Sequence, residues 1–197
     1  MRMVATAEIT PESLLAPLDL PAIFERDMPV EVDLGCGDGT FLAALAREFP
    51  TRNFLGVERM VGRVRSTARK IGDRELSNAR ILHADILHAV QHLLPPRSID
   101  VFYLMFPDPW PKRRHQTRRT FSASFLRAVG RALKDGGLLR VATDDTPYFT
   151  AMQELVAESG DLVCPVEDAN ADLPATTFEA RFRARGATIH RFALRKV

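Results

Sequence analysis

The sequence predicts an α/β fold built on a mostly parallel sheet. From residue 30 onward, short apolar runs alternate with amphipathic stretches of helical period. Most of the apolar runs are followed at once by an acid or a glycine turn. With 197 residues, of which 46% are hydrophobic and 26% charged, the chain has the size and composition of one globular domain.

The predicted elements follow in chain order. Residues 1–29 hold four prolines and form a lead-in with one short helix packed by Ile23 and Phe24, and residues 30–197 form the domain. Strands are predicted at residues 30–34, 53–58, 79–84, 99–106, 138–143, 162–166 and 188–194. Helices are predicted at residues 40–49, 60–71, 86–94, 120–133, 146–159 and 177–185. The connections between parallel strands are expected to be right-handed crossovers.

Local signals delimit these elements. The glycine turn Gly35-Cys36-Gly37-Asp38-Gly39 joins the first strand to the first long helix. Pro95 and Pro96 end the helix at 86–94, because proline removes a backbone donor and clashes with the preceding turn. Gly136 and Gly137 close the helix at 120–133.

Composition excludes several classes of protein. The longest apolar runs are far shorter than the ~20 residues that span a bilayer, and residues 1–10 hold no apolar signal-peptide core. We therefore expect a cytoplasmic protein without a membrane partner. Cys36 and Cys164 are too few for a disulfide framework, and Cys36 is expected to be a packing residue. His88 and His92 lack a third ligand, so no metal site is predicted.

Positive charge is concentrated in two segments. Residues 109–134 hold eight basic residues and no acid, and residues 180–197 hold six more and no acid. The rest of the chain contains the remaining 13 of the 27 Lys and Arg residues together with all 25 acids. This asymmetry indicates a localised anionic partner, although solvated faces are the alternative.

The loop at residues 106–119 is the most distinctive stretch. It follows a predicted buried strand, and three prolines stiffen it around Asp108 and Trp110. A strip of five cations comes next, consisting of Lys112, Arg113, Arg114, Arg118 and Arg119. An acid followed by an indole and then by several cations suggests a site where a polyanion presents a base to a reacting centre.

Acids stand at or near the ends of five predicted strands. They are Asp33, Glu58, Asp85, Asp108 and Asp144. Carboxyl ends of parallel strands share one edge of a sheet, so these carboxylates should converge on one cleft. Such a cleft favours a cationic ligand that carries hydroxyl groups. Helix N-capping is the alternative explanation for Asp85.

This pattern resembles the class I S-adenosylmethionine-dependent methyltransferases. The resemblance implies a single Rossmann-like domain with helices on both faces of a mostly parallel sheet and an antiparallel last strand. It implies that Gly35 and Gly37 pass beneath the methionine and ribose of S-adenosyl-L-methionine, that Glu58 binds the ribose hydroxyls, and that Asp85 binds the adenine amine.

Three motifs extend the resemblance from about residue 32 to the C-terminus. Residues 107–115 with Arg118 and Arg119, residues 142–145, and residues 176–179 are together similar to the bacterial tRNA (guanine-N7)-methyltransferases. The resemblance implies methyl transfer to N7 of the variable-loop guanine, position 46, of tRNA. Monomer and homodimer both remain open.

Site residues follow from the same resemblance. It assigns cofactor contacts to Asp33, Gly35, Gly37, Glu58, Asp85 and Asp108, and catalysis to Asp108. It assigns substrate or RNA contacts to Lys112, Arg114, His115, Arg118, Arg119, Asp144, Thr176, Thr177, Phe178 and Glu179. Thr177 stands where many members carry Lys, and residues 1–29 lack the basic arm of some members.

The implied chemistry suits these residues. Guanine N7 has a free lone pair at neutral pH, so it attacks the sulfonium methyl without losing a proton. Catalysis then depends on positioning. Our hypothesis is that Asp108 orients the guanine and stabilises its developing positive charge, with Asp144 and Glu179 as helpers. Trp110 either stacks on a base or anchors the loop.

Three other functions are weighed against this one. A nicotinamide-dependent oxidoreductase is disfavoured by the glycine spacing and by the basic strip. A non-catalytic RNA-binding domain is disfavoured because the cofactor acids and Asp108 occur together. A methyltransferase that acts on an exocyclic amine also carries a proline-aromatic motif after the fourth strand, but here Lys112 to His115 follows that motif and favours N7.

Overall fold

Strands and helices alternate along the chain, as the sequence predicts. The computed structural model describes residues 7–158, 162–163 and 173–197. Within them the strands are β1 Glu8–Ile9, β2 Val30–Leu34, β3 Asn53–Glu58, β4 Ala79–His83, β5 Ile99–Met105, β6 Leu133–Thr143, β7 Leu162–Val163 and β8 His190–Lys196. The α-helices are α1 Leu20–Phe24, α2 Thr40–Glu48, α3 Val61–Asp73, α4 Ile86–His88, α5 Ala123–Ala132, α6 Thr146–Ala157 and α7 Thr177–Ala184. A π-helical turn, Ala89–Leu93, continues α4, and a 3-10 helix, Arg113–Arg118, follows β5.

One mixed sheet organises the described residues. Its strand order is β1-β4-β3-β2-β5-β6-β8-β7. The strands from β1 to β6 pair in parallel, and β8 runs antiparallel to both β6 and β7. The predicted parallel sheet with an antiparallel last strand is therefore confirmed. The chain leaves β2 toward β3 on one side and later returns to β5 on the other, which creates a switch point where open α/β sheets bind ligands.

Alternating side chains of β5 divide the core into two layers. Val101 and Tyr103 pack with apolar residues of α2 and α3 on one face. Phe102 and Leu104 pack with α1, the π-helical turn, α5 and α6 on the other face. Helices thus cover both faces, as predicted, and each fully buried aliphatic side chain contributes about 1.5–3 kcal/mol to folding.

The segment before residue 30 contributes to the sheet and to the core. Glu8 pairs with Ile81 at the edge of the sheet and forms a strand that the sequence pattern does not predict. Helix α1 forms where the short helix is predicted, and Phe24 is only 2% exposed. Leu18 and Leu20 are buried beside it. The division of the chain at residue 30 stays a prediction.

Other predicted bounds differ by a few residues. Strand β6 begins at Leu133 and not at 138, because Leu133 pairs with Ile99 ahead of a bulge in the β5–β6 ladder. The predicted helix at 86–94 is divided between α4 and the π-helical turn. Cys164 and residues 164–166 of a predicted strand lie outside the described residues.

Candidate active site

A cavity of about 670 Å³ lies at the carboxyl edge of the parallel strands, beside the switch point between β2 and β5. Among the predicted site residues, those that line it are Gly35, Glu58, Asp85, Asp108, Arg118, Arg119 and Phe178. The cavity therefore brings residues that follow β2, β3, β4 and β5 to one place. The predicted residues outside its lining are Asp33, Gly37, Lys112, Arg114, His115, Asp144, Thr176, Thr177 and Glu179.

The glycine turn between β2 and α2 needs its glycines. Gly35, Gly37 and Gly39 have φ angles of 80°, 58° and 72°, in the left-handed region that side chains rarely adopt. A Cβ on Gly39 would lie 2.5 Å from Cγ2 of Thr67, a residue of α3. Thr67 Oγ1 also donates to the Gly37 carbonyl at 3.3 Å. Helix α3 therefore packs directly against the turn and fixes its path.

Glu58 connects the glycine turn to the end of β3. Its carboxylate is buried and accepts hydrogen bonds from the backbone N–H of Gly37 at 3.1 Å and of Met60 at 2.8 Å. Arg63 Nη1 lies 3.9 Å from the same carboxylate. The two backbone donors hold the carboxylate in position, and a cation lies nearby. Glu58 thus presents a fixed negative charge at the cavity wall.

Asp33 lies on β2 and is 3% exposed, so it is close to the site without lining the cavity. Its Oδ2 atom is buried and has no hydrogen-bond partner among the described residues. Loss of hydration, with repulsion from Glu58 and Asp38, raises the pKa of Asp33 to about 7. A buried acceptor of this kind suits a ligand that brings a donor or a positive charge.

Asp85 caps a helix and also lines the cavity. It is the N-cap of α4, and its Oδ1 accepts from the backbone N–H of Leu87 at 2.9 Å and of His88 at 3.2 Å. The same residue is exposed and lines the cavity. Capping holds the carboxylate in place at the cavity wall.

The proline-rich loop projects Asp108 into the cavity region. Phe106 continues the β5 pairing through a 2.7 Å hydrogen bond from its N–H to the Ala142 carbonyl. Phe106 and Trp110 have positive φ angles of 55° and 43°, a conformation that costs a bulky residue about 1–3 kcal/mol. Asp108 lies between these two strained positions, is exposed, and lines the cavity.

The basic strip follows the prolines within the same loop. Lys112, Arg114 and Arg118 are exposed. The 3-10 helix that carries most of the strip was not predicted. Trp110 contacts this helix, because the Arg118 guanidinium carbon lies 5.2 Å from its ring and the His115 ring meets it edge-on at 5.8 Å. Of the two predicted roles for Trp110, these contacts favour the loop anchor, although Trp110 also lines the cavity.

Helix α7 approaches the site through its aromatic residues. The Phe182 ring lies 5.5 Å from Phe106 and 6.2 Å from Phe178, which is 41% exposed and lines the cavity. Thr176 caps the helix by accepting from the Glu179 N–H at 2.9 Å. These contacts explain how the predicted segment 176–179 reaches the cavity through Phe178.

Glu179 is engaged by two arginines. Arg183 Nε donates to its carboxylate at 2.8 Å, and Arg191 donates to the same oxygen. Burial acts to raise the pKa of Glu179, but the hydrogen bonds from Arg191 and Arg183 outweigh it and lower the pKa below its ordinary value. The carboxylate is therefore ionised at neutral pH and joins α7 to β8.

Asp144, at the end of β6, is half-buried.

Sequence comparisons identify the family. A profile described as "Putative methyltransferase" matches residues 27–192. The chain is 38% identical over 188 residues to a tRNA (guanine-N(7)-)-methyltransferase of Cutibacterium acnes, covering 91% of this chain and 67% of that protein. It is 37% identical over 180 residues to the protein of the same name from Yersinia pseudotuberculosis, covering 87% and 74%. The chain belongs to the tRNA (guanine-N(7)-)-methyltransferase family.

Solved structures agree on the fold of this family member. A structure described as an antibiotic-related methyltransferase matches with a TM-score of 0.65 at 17% identity, covering 98% of each chain. The 16S rRNA methyltransferase KamB matches with a TM-score of 0.62 at 20% identity, covering 91% of this chain and 93% of that one. The predicted class I methyltransferase fold is confirmed.

Several residues of the cavity are not among the predicted site residues. Arg59, Met60 and Arg63 line it beside Glu58, and Thr117 and Thr120 line it beside the basic strip. Arg59 and Met60 could be predicted from their position in the sequence, because they directly follow the acid that ends β3. Met60 is 49% exposed, so it offers an apolar contact at the cavity rim.

The remaining signals have structural explanations. Cys36 is buried, and burial raises the pKa of its thiol, as suits a packing residue. The His88 and His92 rings lie 5.1 Å apart, and no group of three or more potential metal ligands occurs among residues 7–158, 162–163 and 173–197. In the same residues, no helix has the length and apolar character that crossing a membrane requires.

Proposed function

We propose that this protein transfers a methyl group from S-adenosyl-L-methionine to N7 of guanine in tRNA, at the variable-loop guanine, position 46. One observation carries the proposal. A single cavity joins Glu58 and Asp85 to Asp108 at the sheet's switch point, and the basic strip borders it. Membership of the family, together with the names of the relatives, supports this assignment. A cytoplasmic location is part of the proposal, because tRNA is the substrate.

The residues present suit the cofactor. The backbone of Gly35 lines the cavity, where a side chain on the left-handed turn would be strained. The carboxyl group of Glu58 can accept hydrogen bonds from ribose hydroxyls, and that of Asp85 can accept them from an adenine amine. The buried Asp33 lies behind the same turn, where a positively charged ligand lowers its cost of ionisation. S-adenosyl-L-methionine supplies the methyl group from its sulfonium.

Asp108 is the proposed catalytic residue. Its exposed carboxylate accepts hydrogen bonds from the N–H edge of guanine, which directs the opposite, N7-bearing side of the base toward the donor. As the new C–N bond forms and the methyl–sulfur bond breaks, the purine becomes positively charged. A fixed carboxylate stabilises that charge, and such preorganised groups are typically worth about 100–1000-fold in rate.

No general base is required in this scheme. Guanine N7 presents a lone pair as an acceptor and carries no proton. The nearby His115 packs its ring against Trp110. We therefore assign His115 to the RNA-contacting surface and not to proton transfer.

The basic strip is the proposed site for the tRNA backbone. Lys112, Arg114 and Arg118 are exposed beside the cavity, where cations bind phosphates and position the RNA without distinguishing its bases. Phe178 also lines the cavity and extends the proposed substrate surface, with Thr177 exposed next to it.

Three predicted substrate residues are proposed to act indirectly, by holding the elements that form the substrate surface. They are Asp144, Thr176 and Glu179. Thr176 and Glu179 fix α7 through the cap and through the pairs with Arg183 and Arg191. Asp144 stands at the end of β6, next to Asp145, which caps α6.

A methyl-transfer assay tests the proposed function. The protein is incubated with methyl-labelled S-adenosylmethionine and unmodified tRNA, and the labelled nucleoside is then identified. The proposal predicts 7-methylguanosine at position 46. Label on an exocyclic amine would assign the chain to another reaction, and transfer of no label would remove the proposed activity altogether.

A further inference from the structure

Arg119 differs from its neighbours Arg114 and Arg118 in the basic strip. Its Nε donates a 2.8 Å hydrogen bond to the carbonyl of Pro109, and its guanidinium carbon lies 4.5 Å from the centre of the Tyr148 ring. Arg119 is half-buried, whereas Arg114 and Arg118 are exposed. A cation held between a carbonyl and an aromatic face is stabilised by the protein itself.

Tyr148 is a rigid support for this contact. Only 1% of its surface is exposed. Its hydroxyl accepts from the Phe121 N–H at 3.1 Å, and its own N–H donates to Asp145 Oδ1 at 2.7 Å in the first turn of α6. The ring is therefore fixed to both α6 and the segment that precedes α5.

Pro109 is the residue next to Asp108 in the strained loop. Between Phe106 and Lys112 the prolines leave backbone N–H groups only on Asp108 and Trp110, so the loop has few donors to hold itself in place. Burial is the main cause that raises the pKa of Tyr148 to about 12, while Arg119 opposes the rise and Asp108 adds to it. Arg119 and Asp108 thus both lie within electrostatic reach of Tyr148.

We propose that Arg119 is a positioning residue that locks the Pro109 carbonyl against Tyr148 and so fixes the Asp108 carboxylate in the cavity. This inference rests on the proposed function, because Asp108 acts there on the guanine. A reacting group displaced by about 1 Å loses up to ~100-fold in rate. Arg119 then affects the chemical step, and the exposed cations affect RNA affinity.

Two matched variants separate these roles. R119Q and R114Q each remove one positive charge from the same short segment. We expect R119Q to lower kcat by about 10- to 100-fold while the salt dependence of tRNA binding stays as in the wild type. R114Q should instead raise KM for tRNA and reduce the slope of log K against log salt by about 1. R127Q, at an exposed position of α5, controls for charge removal elsewhere.

Trp110 gives a readout that needs no activity. It is the only tryptophan of the chain and follows Pro109 directly, so its quenching by acrylamide reports the freedom of the loop. R119Q should increase that quenching, and R114Q and R127Q should leave it unchanged. If the wild-type protein methylates no tRNA, the proposed function fails, but the quenching still tests the lock.

A double variant tests the path through Tyr148. Y148L removes the ring beneath Arg119, and adding it to R119Q should lower kcat little further, because both changes break one lock. Thermal unfolding of each variant verifies that it is folded. The proposal would be overturned if R119Q left kcat and quenching unchanged but reduced the slope of log K for tRNA binding against log salt. Arg119 would then be a phosphate contact.

Discussion

Replacement of Asp33 by asparagine should stabilise the ligand-free protein at alkaline pH. The Asp33 carboxyl is buried near Glu58 and Asp38, which raises its pKa from 3.8 to about 7. Between pH ~4 and ~7 the folded protein keeps this proton, and the unfolded chain releases it. The folded state then binds more protons, so the free energy of unfolding falls as the pH rises through this window.

The size of the effect follows from the two pKa values. A difference of about three pH units corresponds to roughly 4 kcal/mol of lost stability above pH ~7. Asparagine has nearly the same shape and no charge to desolvate. D33N should therefore match the wild type near pH 4 and exceed it by up to about 4 kcal/mol at pH 8.

Urea unfolding at a series of pH values measures this difference. D27N, which changes an exposed acid, controls for the loss of one charge. The same D33N protein should bind S-adenosylmethionine more weakly than the wild type. A difference between D33N and wild type that stays constant from pH 4.5 to 8.5 would refute the explanation given for Asp33.

Three further predictions concern the glycine turn and the cavity. G39A should cost about 2–4 kcal/mol of stability, because its Cβ would lie 2.5 Å from Thr67 at a φ of 72°. Adding T67A to G39A should recover only the part of this loss that comes from the steric clash. E58Q should weaken S-adenosylmethionine binding by about 10- to 100-fold, since a neutral amide replaces a charged acceptor. D108N should lower kcat by about 100-fold or more, with tRNA affinity preserved.

Each of these predictions has its own measurement. Urea unfolding of G39A, T67A and the double variant compares their free energies, and full recovery in the double variant would mean that the left-handed backbone costs nothing. Calorimetric titration with S-adenosylmethionine measures E58Q, and an unchanged Kd would exclude Glu58 from the ligand contacts. For D108N, single-turnover methyl transfer at saturating tRNA is decisive, and a rate equal to that of the wild type would contradict the proposed role.

The parallel strands at the centre were predictable because their signals are local. Strands β2 and β3 occupy the predicted residues, because apolar residues that alternate in β2 and cluster in β3 are bounded by turn residues. The acids at or near the carboxyl ends of the strands are also visible in the local sequence. Glu58 and Asp85 meet in one cavity because parallel strands share an edge.

Other features depend on contacts between distant residues and leave little local trace. Strand β1 has only two residues and forms because the edge of β4 accepts it. The position of Arg119 over Tyr148 joins residues 29 apart in the sequence. Composition alone therefore grouped Arg119 with the exposed cations, and only the packed structure separates it from them.

The most direct test of the proposed reaction replaces the nucleophile. One tRNA carries guanosine at position 46, and a second carries 7-deazaguanosine, in which a C–H group replaces N7 and the Watson–Crick edge is unchanged. Attack by N7 predicts efficient methyl transfer to the first tRNA and none to the second, with similar binding of both. Equal transfer to the two tRNAs would show that the methyl group goes elsewhere and would contradict the proposed function.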